Sequence, residues 1–202
     1  MSGVPTVTLG ELSRIGTRTL HRHTTRVLHH DAPGPDRGEP ALTSQDVIAG
    51  RPAGGSVLVS PDDDPEARVQ AQDILVPAIA RTLVARIATV EQVGARLGPG
   101  VHAVRVNPAL LDPWFAVGAL TRAENATRAA RTSVGTSGAL RIDVERLHLP
   151  VLPIGEQHRR SETLRRLTEW DIELLRPAET GHEVVQALTS ALVDGRLDLS
   201  DV

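Results

Sequence analysis

The chain contains no cysteine, no lysine and no tyrosine. Without cysteine there are no disulfides, no thiolate metal sites and no cysteine nucleophile. Aromatic side chains are almost missing, since only Trp114, Phe115 and Trp170 occur. The core must therefore come from Val, Leu, Ile and Ala, and base-stacking platforms of the kind that hold single strands are excluded. A formal net charge of −3 provides no global positive field. No run approaches the roughly 18 apolar residues of a membrane span. The start, MSGVPTVTLGEL, lacks a basic-then-apolar signal pattern. The expectation is a cytoplasmic protein with no membrane partner.

Catalytic signatures are lacking as well. There is no Gly-x-Ser-x-Gly elbow, no Gly-x-x-x-x-Gly-Lys loop and no Gly-x-Gly-x-x-Gly turn. Asn107-Pro108-Ala109 is the nearest approach to the Asn/Asp-Pro-Pro-aromatic loop of an adenine methyltransferase, and it does not match. His21, His23, His29 and His30 crowd one polar segment, HRHTTRVLHH, but their spacing fits no closed zinc pattern. Asp62, Asp63 and Asp64 lack the Gly and terminal Glu of a calcium loop. A metal hydrolase built on the His segment is the least supported alternative. Neither catalytic residue nor metal is expected.

What is present is a mixed α/β pattern. Ser56–Ser60, Asp73–Pro77, Leu83–Val90, Val101–Val106 and Leu140–Val144 are β-branched runs bounded by turns. Val4–Ile15 reads as a strand and turn, and Thr43–Ile48 as one helical turn capped by Thr43 or Ser44. Asp112-Pro113 opens a helix, with a capping carboxylate followed by proline, and this helix is expected to run into the 120s. A further helix starts at Gly155 or Glu156 and runs to Arg176, before Pro177. Its apolar residues, including Leu164, Leu167, Trp170 and Leu174, spread over about 200°, wider than one partner surface requires. Residues 179–194 give a second amphipathic helix that stops at Gly195. The expected architecture is an α/β domain over residues 1–153 and an α-helical hairpin over residues 154–202.

All 22 basic residues are arginine, which suits bidentate contacts to phosphate and guanine. Arg81, Thr82 and Arg86 follow a strand. Arg122, Arg128 and Arg131 lie on or beyond the Asp112 helix, and a hydroxyl-rich loop containing Ser133, Thr136 and Ser137 then leads to Arg141. Arginine with hydroxyls and backbone amides is the mixture that phosphate and base-edge contacts use. A solvated helix face has the same composition, so the pattern alone leaves both readings open.

From Gln72 to Leu175 the chain resembles one half of a type I restriction–modification specificity subunit. The resemblance lies in QDILVPAIARTLVARIA, VHAVRVNPALLDPWFAVGAL and GALRIDVERLHLPVLPIGEQHRRSETLRRLTEWD. The last is the most specific, with Leu149, Pro150, Pro153, Ile154, Glu156 and Gln157 where the family closes its recognition domain and begins its spacer helix. The C-terminal recognition modules of actinobacterial N6-adenine DNA methyltransferases are similar. The chain departs from a full subunit in carrying one recognition domain and one shorter spacer helix, and MSGVPTV fits either a separate subunit or part of a larger enzyme. The resemblance implies a non-catalytic target-recognition domain that binds double-stranded DNA for an N6-adenine methyltransferase subunit or domain. S-adenosylmethionine would be used by that partner, and no cofactor by this chain. Leu164, Leu167, Trp170 and Leu174 would carry the partner contact and self-association. A second reading, favoured by the net charge, is an assembly adaptor that uses the hairpin and touches no DNA.

Overall fold

The computed structural model describes residues 4–14, 18–22, 38–57, 68–133 and 138–170. Its centre is a four-stranded antiparallel sheet in the order β2 (Arg18–Arg22), β9 (Val101–Val106), β5 (Ile74–Pro77) and β7 (Arg86–Ile87). All of β5 is buried, because the two faces of the strand enter different cores. Ile74 and Val76 join Val104 in a larger cluster with Phe115, Ala116 and Leu120, while Leu75 joins Val101, Ala103, Leu42 and Val47 in a smaller one. Period-two alternation thus makes one sheet the shared wall of two cores.

The smaller core is closed by β4 (Gly55–Val57), β3 (Glu39–Leu42) and β8 (Arg96–Leu97), together with α2 (Ser44–Ala49). Thr43 caps α2 as expected, in a reciprocal box with Asp46. Charge stitches this side together. The Glu39 carboxylate accepts from Arg68 and, at 2.9 Å, from Arg96. Fully buried Asp73 pairs with Arg105 at 2.8 Å.

The larger core lies beneath α1 (Leu9–Arg14), α3 (Pro113–Leu120) and α4 (Ala123–Thr132). Asp112 caps α3 by accepting from the Phe115 amide at 2.9 Å, with Pro113 at the first turn, as the sequence indicates. The expected single helix is in fact two. Arg122 is extended between α3 and α4, and buried Asn125 stabilises the break. Its Nδ2 donates to the carbonyls of Ala119 and Leu120, which the end of α3 leaves without helical partners, and to that of His148; its Oδ1 accepts from the His148 amide. Two other expectations are shortened. Within 83–90 only Arg86–Ile87 is strand, and 140–144 gives β10 (Leu140–Arg141) followed by a 3₁₀ turn at Val144–Arg146. Leu9–Arg14, expected as part of a strand and turn, is helical.

A helix, α5, occupies 154–170, starting within one residue of the expected position. Gln157, 4 % exposed, anchors it. Gln157 Oε1 accepts from the Asp112 amide at 2.9 Å, while its Nε2 donates to the carbonyls of Leu152 and Leu110. The Ser161 hydroxyl donates to the same Asp112 carboxylate that caps α3. One turn further on, Leu164 lies against Gly118, where any side chain would collide with the leucine methyls. On the solvent side, Glu162 accepts from Arg165 and Arg166, which hold its carboxyl down to about 2. The chain start returns to this junction: β1 (Thr6–Thr8) pairs antiparallel with β11 (His148–Pro150), and the Val151 amide donates to the Pro5 carbonyl at 2.8 Å. The proposed second helix, over 179–194, lies outside the described residues.

Candidate nucleic-acid interface

The two candidate arginine loops are brought together by one short ladder. Strand β6 (Ile79–Ala80) pairs antiparallel with β10, setting Leu140 opposite Ala80 and Arg141 opposite Ile79. The Ile142 amide extends the ladder by donating to the Ala78 carbonyl at 2.8 Å. Arg81 therefore emerges directly beside the segment that leads into Arg141. Gly138, with φ +81°, turns the chain into β10 through a backbone region that side chains disfavour. Ser133 clamps the end of α4 to this strand: its hydroxyl donates to the Ala129 carbonyl and accepts from the Arg141 amide, both at 2.7 Å. It positions Arg141 rather than offering a free donor.

Two adjoining clefts lie here, one against the ladder and one between the end of α4 and residues 143–148. The first, about 620 Å³, is lined by Ile79, His102, Thr132 and Arg141. The second, about 420 Å³, is lined by Arg128, Arg131 and His148. Thr132, Asp143, Glu145 and Arg146 border both. Arg146 pairs with Asp143 at 3.2 Å.

Arginine divides into two populations. Arg68, Arg96, Arg105, Arg122, Arg146, Arg159, Arg160, Arg165 and Arg166 are ion-paired. Arg81, Arg128, Arg131 and Arg141 are exposed and form no ion pair among the described residues. Arg128, Arg131 and Arg141 line the two adjoining clefts, and Arg81 directly follows β6. Arg128 acts on Glu124 at longer range, and Asp143 and Glu145 border the same clefts, so positive charge here is local and is set against an overall charge of −3. Arg131, in the last turn of α4, also complements the carbonyl end of that helix.

Other expected site residues are elsewhere. Arg86 is a correction: it is 4 % exposed on β7 and lines a cavity of about 480 Å³ under α5, with Thr82, Gly118 and Leu164, so it cannot share the open arginine surface. The central sheet, with both faces covered, takes this side chain inside. Thr82 is exposed at the mouth of the same cavity. Arg122 sits at the opposite end of α4 from Arg131, where it pairs with Glu124 at 2.9 Å and holds that carboxyl below its usual range. Thr136 and Ser137 lie outside the described residues, as does Leu174. Of the expected partner residues, Leu164 is half-buried against the larger core, whereas Leu167 and Trp170 are 52 % and 61 % exposed. Ile79 and Arg146 belong to the site and were not expected there. Only the pairing of β6 with β10 shows which way Ile79 faces.

No family model and no curated protein matches the sequence. Solved structures match in fold. The HsdS subunit from Thermoanaerobacter tengcongensis superposes with a TM-score of 0.52 at 16 % identity, over 95 % of this chain and 44 % of that one. The type I restriction–modification S subunit from M. genitalium gives 0.51 at 17 %, over 94 % and 46 %. A chain solved in a study of complex assembly by a type I system gives 0.51 at 16 %, over 96 % and 45 %. The chain spans less than half the length of these proteins and shares their α/β fold.

Proposed function

Starting from a fold shared with type I specificity subunits, we propose that this chain reads duplex DNA sequence and brings an N6-adenine methyltransferase, as partner or fused domain, to its target. The observation that carries the reading is the convergence of Arg81, Arg128, Arg131 and Arg141, unpaired among the described residues, on the β6–β10 ladder and the end of α4. Methyl transfer from S-adenosylmethionine belongs to the partner, and this chain contributes recognition. Replacing Arg128 and Arg131 together with Ala should weaken binding of the assembled complex to duplex DNA and reduce the slope of log affinity against log salt by about two. Unchanged affinity and slope, with circular dichroism intact, would remove these residues from the interface.

The adaptor reading rests on the net charge of −3 and on exposed Leu167 and Trp170. It requires a chain that captures a methyltransferase yet elutes from heparin and random duplex at low salt. Salt-resistant retention on both matrices excludes it.

A further inference from the structure

We infer that the β6–β10 ladder is the base-reading edge of this surface, with Arg141 placed for a guanine and Ile79 for the 5-methyl group of a neighbouring thymine. The inference rests on the recognition reading above and assigns its specificity. Residues directly opposite in an antiparallel pair project from the same face. Here that rule separates the ladder cleanly. Ala80 and Leu140 form the inward pair, with Ala80 6 % exposed and Leu140 packed on the larger core. Ile79 and Arg141 form the outward pair, with Ile79 55 % exposed and Arg141 unpaired among the described residues. Both border the same cleft. The buried pair fixes the ladder from below, so the outward pair is held at a defined spacing.

The chemistry of that pair selects the occupant. A two-stranded ribbon fits the DNA major groove, where the thymine methyl is the apolar group on display and guanine offers O6 and N7 to a guanidinium. A phosphate would use Arg141 but would leave Ile79 facing a hydrated anion with nothing gained. Arg128 and Arg131 differ. They stand one turn apart on a helix, the hydroxyl of neighbouring Thr132 is turned back onto the Ala129 carbonyl at 3.0 Å, and no strand pairing sets either opposite an exposed apolar side chain as Ile79 is set opposite Arg141. These arginines suit the phosphate backbone, which positions a protein without specifying sequence. A single exposed isoleucine is common on protein surfaces. Its pairing with an unneutralised arginine on an anchored ribbon is what distinguishes this one.

The test uses the full chain and a randomised duplex library. The unmodified chain should enrich a motif containing adjacent guanine and thymine positions. R141A should flatten the guanine position, I79A should relax the thymine position, and R128A should keep the motif while losing affinity uniformly. On the enriched duplex, 7-deazaguanine at the guanine should weaken the unmodified chain about tenfold and leave R141A indifferent. Uracil at the thymine should weaken it about fourfold and leave I79A indifferent. These nucleotide substitutions need no altered protein, so a folding defect in a variant does not obscure them. The inference is overturned if both variants enrich the original motif at the original strength, or if the analogues leave the unmodified chain unaffected. A chain that binds duplex DNA but enriches no motif overturns the recognition reading itself.

Discussion

Asn125 is the residue on which the helical layer turns, because its one side chain serves the end of α3 and both backbone groups of His148. The Asp variant keeps the size but exchanges the donating amide for an acceptor facing three carbonyls. We expect N125D to lose about 2 kcal/mol or more, read as a lower denaturant midpoint at constant slope. Glu39 gives a pH signature. Hydrogen bonding from Arg96, reinforced by Arg68, holds its carboxyl below the ordinary 4.5. A depressed folded value means that its stabilisation is complete above the unfolded value and is lost as pH falls through the folded one. The melting temperature of E39Q should therefore lie below that of the unaltered chain at neutral pH, and the two should converge as the medium becomes acidic. Parallel curves across the acid range would mean that the pairs with Arg68 and Arg96 contribute nothing.

At the scale of elements, α5 is joined to the domain through a polar lock, beside the apolar contact that Leu164 makes with the larger core. Gln157 and Ser161 both meet the start of α3 at Asp112, and Gln157 also receives no help from solvent, being buried. Q157A should cost about 1–3 kcal/mol and loosen the junction, seen as faster amide exchange in the first turns of α3 and α5. Beyond the lock, Leu167 and Trp170 remain exposed, so L167S with W170S should abolish capture of the methyltransferase or self-association while leaving the melting temperature of the isolated chain nearly unchanged. Retained capture at the original ratio would place the interface elsewhere. The elements that were legible in the sequence are those specified by neighbours a few residues apart: the Thr43 and Asp112 caps, the β-branched, turn-bounded runs of β5 and β9, and the start of α5 at the Pro153–Gln157 passage. What was not legible depends on distant partners. The break between α3 and α4 is stabilised from His148, 23 residues beyond Asn125, and the fate of Arg68 and Arg96 is decided by Glu39, 29 and 57 residues before them. Arg128, Arg131 and Arg141 were legible as neighbours because a helix end and a returning strand lie close in sequence. Arg86 was misleading because an arginine in a β-branched run reads the same whether it points outward or into a cavity.

For the whole molecule, the proposed recognition role has to be met by a span of less than half of the solved chains it resembles in fold. One module touches a short word, and each mismatch costs roughly 1–3 kcal/mol, which selects poorly across a genome. Two copies related by a two-fold axis would multiply that selectivity and force the half-sites to be inverted. We therefore expect two copies in the working complex and an interrupted palindrome as the modified sequence, read by single-molecule methylation mapping. An uninterrupted asymmetric motif methylated on one strand would instead indicate a single copy. The pairing of β1 with β11 has a consequence of another kind. Because β1 lies hydrogen-bonded against β11, everything folded between them is closed off by one double stem, like a bead on a closed loop of thread. Such a unit could be replaced by another whose two ends meet in the same way without displacing α5. Under the proposed function, exchanging such a bead would change the DNA word in a single step, while α5 beyond the stem stays as it is.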